Sequence, residues 1–166
     1  ALGSDAACHA VPLQAANALS FAGPVLGAAR GALDSWCAYI AQKVGAVPAA
    51  PGGGPGLSRA SHDATLTRAS SEIDAAELLL MRASRVADKG GAVTTTETVR
   101  NLRDGAFAVE VLATAVDRLF RAAGTTGQSA ANPMQRFWRD ANAMATHVAL
   151  QFEPAAHAYA GEVLGR

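Results

Sequence analysis

Asn132-Pro133-Met134-Gln135-Arg136-Phe137-Trp138-Arg139-Asp140-Ala141-Asn142-Ala143-Met144-Ala145-Thr146-His147 is the stretch on which the fold turns. Asn132 can accept the first free amide hydrogens of a helix, Pro133 suits the first helical position, and Gln135 stands where a capping box uses a long polar side chain. A helix is expected to start here. At about 100° per residue, Phe137, Ala141, Met144 and Val148 form an apolar face with Trp138 and Ala145 beside it, while Arg136, Asp140 and His147 fall within roughly 40° of one another. One face packs, and its neighbour carries ionisable groups.

The plain reading of that stripe is a solvated flank with an Arg136/Asp140 ion pair four residues apart, worth a few tenths of a kcal/mol. If another domain covers the flank, its charges must be paired, because a lone buried charge costs roughly 3–5 kcal/mol. The sequence leaves both readings open.

The same argument extends along the chain in both directions. In Val99, Leu102, Ala106, Val109, Ala113, Val116, Phe120 and Ala123 the apolar spacing alternates between three and four, which predicts a long helix. Thr94 and Glu97 supply its capping box, and Gly124 ends it. Before it, Leu66, Ile73, Leu80 and Ala87 recur every seven residues with Ala69, Ala76 and Ala83 interleaved, predicting a helix over 59–89 that Gly90 and Gly91 stop. The segment 47–56, VPAAPGGGPG, cannot continue a helix and is expected to be a mobile loop. Upstream, 12–44 reads helical, but Gly23 and Pro24 predict two pieces, 12–21 and 24–44. Pro154 is expected to separate the Asn132 helix from a last short one holding Tyr159, Val163 and Leu164. Residues 1–11 show no period and are expected to be a linker from an upstream domain. Residues 12–166 then form one all-α domain, an antiparallel four-helix bundle with a short extra C-terminal helix.

Composition bounds the function. Half of the 166 residues are apolar but only 5% are aromatic, so the core is built from small residues. Each buried alanine contributes less than the roughly 1.5–3 kcal/mol of a Leu or Val, so such a bundle gains from packing on further copies. Fourteen acidic and fourteen basic side chains cancel, which argues against a nucleic-acid partner. No apolar run approaches the roughly 20 residues of a membrane span. Cys8 and Cys37 lack the spacing of a zinc site or a disulfide framework, and a reducing cytoplasm is the default. The first residue is Ala1 rather than Met, and a fragment of a longer protein is expected.

Several chemistries drop out. No Glu-x-x-His pair is present for a di-iron bundle, and no other metal site is expected. Neither a GxSxG elbow nor a GxxxxGK[ST] loop occurs. The segment from Gly124 through Thr125, Thr126, Gly127 and Gln128 to Ser129 is small, polar and flexible; its amides and hydroxyls could cradle a phosphate, or it could be only a steric connection.

Two motifs carry a family resemblance. GAARGAL runs from Gly27 to Leu33, followed by Tyr39 and then Lys43. The second is the glycine segment from Gly124 to Gly127, then Pro133, then Arg136, Trp138, Arg139 and Asp140, with His147 eight residues after Arg139. In these features, over nearly its whole length, the chain resembles the C-terminal helical domain of the acyl-CoA dehydrogenase superfamily. Within it, the likeness is to the branch of flavin-dependent aromatic monooxygenases, the two-component hydroxylases. The dehydrogenases continue their RD with Tyr-Glu-Gly-Thr, whose glutamate is the base. Here His147 and Val148 stand at the tyrosine and glutamate positions, so that base is missing.

The resemblance implies a homotetramer centred on these bundles, with FMN or FAD held as reduced flavin between the bundle, a β-barrel domain and a neighbouring subunit. It implies partners outside this chain: N-terminal helical and β-barrel domains, a flavin reductase, and an aromatic or heteroaromatic substrate. Lys43 stands where the family has a flavin-contacting arginine, and Gly124, Thr125, Thr126 and Gly127 would line the flavin phosphate. Arg136, Arg139 and Asp140 would be structural or interface residues. His147 would be catalytic, as a hydrogen-bond partner of oxygenated flavin or as the base for a phenol. The isolated domain is expected to be inactive and to bind flavin weakly or not at all. Two alternatives stay open: an acyl-CoA dehydrogenase with its base on another helix, or a bundle used only for oligomerisation.

Overall fold

Capping residues set the starts of two of the bundle helices. Thr94 Oγ1 accepts from the Glu97 amide at 3.2 Å while Glu97 Oε2 accepts from the Thr94 amide at 3.1 Å, the reciprocal box expected there. Asn132 Oδ1 accepts from the Met134 amide at 2.9 Å, with Pro133 in the first turn. The cap thus closes on Met134, one residue short of a box through Gln135. These features come from a computed structural model that describes residues 7–46 and 59–166. The 47–56 loop and most of the expected linker lie outside the described residues, as does the side chain of Cys8.

The helices are α1 (Ala7–Ala10), α2 (Leu13–Ala46), α3 (Arg59–Ala87), α4 (Thr95–Ala122), α5 (Gly124–Gly127), α6 (Pro133–Ala145) and α7 (Phe152–Leu164), with short 3₁₀ turns at Gly90–Ala92 and Val148–Leu150. The long helices α2, α3, α4 and α6 form the expected all-α bundle, and α7 is the extra C-terminal helix. Gly90 and Gly124 take positive φ of 59° and 64° just past the ends of α3 and α4, the left-handed conformation that a side chain would strain. No helix of the described residues is long and apolar enough to cross a membrane.

The expected break at Pro24 does not occur. α2 runs unbroken through it, because Pro24 sits on the exposed side while Ala22, Val25 and Ala29 are fully buried around it. Packing offsets the ~3 kcal/mol that an interior proline costs a helix. Pro154 does not separate helices either: α7 begins two residues earlier, and in the first turn the missing N–H would have had no intrahelical acceptor.

α2 and α4 lie parallel at the centre, flanked by α3 and α6. A Cβ on Gly105 would stand 2.7 Å from that of Ala18, which measures how closely the central pair approaches. Asn101 Nδ2 donates to Ala15 O at 2.9 Å and to Ala83 O at 3.0 Å, tying α4 to both α2 and α3. The apolar stripe expected on α4 is only one of its buried faces. Asn101, Asp104, Gly105, Ala108, Leu112, Ala115 and Leu119 are buried on another, because a central helix has neighbours on most of its circumference. On α3, Ala69, Ile73, Ala76, Leu80 and Ala83 are buried as the seven-residue pattern requires, whereas Leu66 is exposed. α7 covers the outer side of α4, where the Arg103 guanidinium lies 4.2 Å from the Tyr159 ring centroid.

Candidate functional site

α2 and α6 run antiparallel and leave a groove between their outer faces. Its floor exists because α2 presents small residues there. A Cβ on Gly31 would fall 2.5 Å from the Phe137 ring, so the phenyl seats directly on the α2 backbone. Beyond Phe137 a hollow of about 440 Å³ opens, lined by Pro24, Gly27, Ala28, Phe137, Asp140, Ala143 and Met144. It runs on into a second hollow of about 220 Å³, which shares Pro24, Ala143 and Met144 and adds Phe21, Thr146 and His147. The walls are apolar, and the ionisable groups among these lining residues are Asp140 and His147.

His147 does not lie on the helical stripe. α6 ends at Ala145, and His147 has extended backbone at φ −62° and ψ 137°, leading into the Val148–Leu150 turn. The turn forms because it buries Leu150, and it leaves Val148 79% exposed, so Val148 is no part of the apolar face expected of it. The half-buried His147 ring stacks on Phe21 at 3.7 Å between centroids and 21° between planes, and its Nδ1 accepts from the Ala149 amide at 3.2 Å.

The expected Arg136/Asp140 ion pair is not formed. Arg136 lies instead over its neighbour Phe137, 5.6 Å from the ring centroid, and Arg139 and Asp140 are exposed. Each exposed charge keeps its own hydration, so closing the pair would return little. Trp138 faces the other way, onto α4. It stacks on Phe120 at 4.9 Å, and its Nε1 donates to Asp117 Oδ1 at 3.1 Å.

The phosphate-binding candidates sit elsewhere. Lys43 is exposed near the C-terminal end of α2, its Nζ 5.7 Å from the Tyr39 ring centroid. Gly124, Thr125, Thr126 and Gly127 form one helical turn rather than a flexible loop, since Gly127 packs on Ala123 and the Phe120 carbonyl too tightly for a side chain. Thr125 and Thr126 are exposed. Because α2 and α4 are parallel, Lys43 and this turn share one end of the bundle. His147 packs against Phe21, about 33 Å from Lys43 along α2 at ~1.5 Å per residue. The predicted site residues therefore fall into two groups, at separate places on the surface.

Sequence reasoning missed Phe21, Pro24 and Met144 as groove walls, since they come from distant segments with no pattern in common. Cys37 is free, and burial together with the charge of Asp34 pushes its thiol up, the reverse of what a thiolate nucleophile needs. Among the described residues no group of three or more His, Cys, Asp and Glu is placed to hold a metal ion.

Residues 19–152 match the family model described as acyl-CoA dehydrogenase, C-terminal domain. The oxygenase subunit HsaA of a flavin-dependent monooxygenase from Rhodococcus jostii (strain RHA1) is 31% identical over 152 residues, covering 88% of this chain and 38% of that protein. The oxygenase component of an FADH(2)-dependent resorcinol hydroxylase from Rhizobium sp. (strain MTP-10005) is 27% identical, over 77% of this chain and 33% of that protein. Among solved structures, XiaF from Streptomyces sp. in complex with FADH2 and glycerol superposes with a TM-score of 0.77 at 31% identity, over 94% of this chain and 40% of that one. The chain thus spans well under half the length of these relatives.

Proposed function

The chain belongs to the acyl-CoA dehydrogenase C-terminal domain family, and on that premise we propose that it is the helical domain of a reduced-flavin-dependent monooxygenase that hydroxylates an aromatic or heteroaromatic substrate. The observation that carries the reading is His147: where a dehydrogenase has its Tyr-Glu base, this chain sets an imidazole at the rim of an apolar groove. The likeness to two relatives whose names specify FADH2 supports FAD over FMN as the flavin. Reduced flavin would supply the activation of dioxygen, and a separate flavin reductase in the cytoplasm would supply the reduced flavin.

The groove fits one flank of a planar aromatic ring system. Pro24, Ala28, Phe137 and Met144 give it dry walls, which exclude water from one side. His147 gives it one polar ring atom within reach of an oxygen. Among the described residues nothing closes the other side, which the upstream domains would cover. Arg136, Arg139 and Asp140 lie on or beside the outward face of α6, where such a domain would meet them, and they would then need partners from it.

Lys43 and the Gly124–Gly127 turn suit the phosphate end of a dinucleotide: one exposed cation, two exposed hydroxyls and a backbone turn. Lys43, about 33 Å from the Phe21 that His147 stacks on, as measured along α2, cannot serve the same ring system as His147 within one copy. A homotetramer resolves this, with the Lys43 end of one copy completing the site of another.

The test uses the full-length protein with a flavin reductase, NADH, air and a panel of phenols. A hydroxylated product is expected, and His147→Ala should divert consumed NADH to hydrogen peroxide. Coupled hydroxylation unchanged in that variant would remove His147 from the site. Flavin reduction by an acyl-CoA thioester without the reductase would replace the reading with a dehydrogenase.

A further inference from the structure

We propose that Phe21 and the Ala149 amide are positioning groups that hold the neutral His147 ring in one tautomer, with its proton on Nε2, so that the ring meets the groove as a hydrogen-bond donor. The inference rests on the functional reading above only for what the donor faces; the tautomer itself follows from the chain's own geometry.

A neutral imidazole has one N–H and one lone-pair nitrogen, and its neighbours select which is which. A backbone amide can only donate. The Ala149 amide reaches Nδ1 at 3.2 Å, so Nδ1 must present its lone pair and the proton must reside on Nε2. That amide is itself held in place. The Leu150 amide donates to His147 O at 2.9 Å, the Gln151 side-chain amide donates to His147 O and to Ala145 O at 3.3 Å each, and Leu150 anchors the turn with 2% exposure. The Ala149 N–H therefore cannot swing away without undoing a buried turn.

Phe21 fixes the remaining freedom. A ring stacked at 3.7 Å and 21° cannot rotate about its side-chain bonds without losing the contact, so its two nitrogens stay in the plane that the phenyl sets. Nδ1 is taken by Ala149, and Nε2 has no partner among the described residues. Asp140, the other ionisable wall residue, lines the adjoining hollow rather than the one His147 lines.

This decides between the two roles open to a histidine here. A ring with its proton on Nε2 can donate to an oxygen of the cofactor or substrate. It cannot accept a phenol's proton at that atom without first losing its own. His147 is then the donor that holds an oxygen in place, and a substrate that needs deprotonation must be served by another group.

The experiment is nitrogen NMR on the full-length protein labelled with ¹⁵N-histidine, in the solid state if its size requires, near pH 8. His147 is assigned by the signal lost in His147→Gln. A protonated Nε2 with an unprotonated Nδ1 is expected; the opposite tautomer overturns the proposal whatever the enzyme does. Phe21→Leu should give a mixture of tautomers and raise peroxide release, and Phe21→Tyr, which keeps the stack, should restore both. A Phe21→Leu protein with wild-type spectrum and coupling removes Phe21 from the proposal. Failure to hydroxylate any aromatic compound would instead sink the functional reading, while the spectrum still decides the tautomer.

Discussion

Trp138 Nε1 donates a 3.1 Å hydrogen bond to Asp117 Oδ1, and this bond fastens the groove helix α6 to the central helix α4. The other carboxylate oxygen of Asp117 accepts from Arg121 Nε at 2.6 Å, so both oxygens are engaged. Trp138 is thus a strut behind the site rather than a wall of it. Its stack on Phe120 supplies the apolar part of the same joint.

Trp138→Phe keeps an aromatic ring for Phe120 and removes only the donor. Asp117 retains Arg121, so no buried carboxylate is orphaned, and the loss should be about 1 kcal/mol. Urea unfolding followed by circular dichroism measures it. A loss above about 3 kcal/mol would mean that packing rather than the hydrogen bond dominates the joint.

The Asn132 helix was legible because its signals are local: a capping side chain, a proline in the first turn, and aromatics at helical spacing. The Thr94/Glu97 box, the Gly90 and Gly124 stops and the alanine seam of α3 were readable for the same reason. His147 shows where such reading fails. Helical spacing places it on a stripe of α6, but the burial of Leu150 against distant residues ends that helix at Ala145. Pro24 fails likewise, since the burial of Ala22 and Val25 in the core outweighs a local rule. The groove itself was not readable, because it depends on Phe21 and Pro24 meeting Met144 and His147 from far along the chain.

Asp104 carries a second tertiary constraint that no local pattern announced. It is only 2% exposed, and Arg82 and Arg103 each grip one of its oxygens, with bonds of 2.6 to 3.0 Å. Asp104→Ala leaves two guanidinium groups without their acceptor. Breaking a fully buried pair costs roughly 3–5 kcal/mol, and because Arg82 and Arg103 are partly exposed the expected loss is about 2–3 kcal/mol. Denaturant unfolding of the variant checks this; a change within about 0.5 kcal/mol would show that the arginines rehydrate freely.

Two glycines separate packing from helix propensity. Gly105→Ala adds a methyl 2.7 Å from Ala18 Cβ at the central contact, and overpacking of ~1–3 kcal/mol should exceed the ~1 kcal/mol gain in propensity. A net loss of about 1 kcal/mol is expected. Gly27→Ala meets nothing within 4 Å on the exposed side of α2, so it should stabilise by ~0.5–1 kcal/mol. Melting temperatures that shift the same way in both variants would contradict the close approach of α2 and α4.

The capping box of α4 should make stability depend on acid. Lys89, by its hydrogen bond, and then the Thr94 amide hold the Glu97 carboxyl at about 2, well below its ordinary 4.5. A carboxylate whose folded value is depressed stabilises the fold fully above its unfolded value, and that contribution is lost as pH falls through the window from about 4.5 to 2. Glu97→Gln isolates the charge, because glutamine can still accept from the Thr94 amide. The variant should melt below the parent at pH 7, the gap should close on acidification to pH 2, and salt should narrow it at pH 7, since Lys89 and Glu97 meet at the surface. A gap that stays constant from pH 7 to pH 2 would assign the stabilisation to the shape of the cap and none of it to the charge.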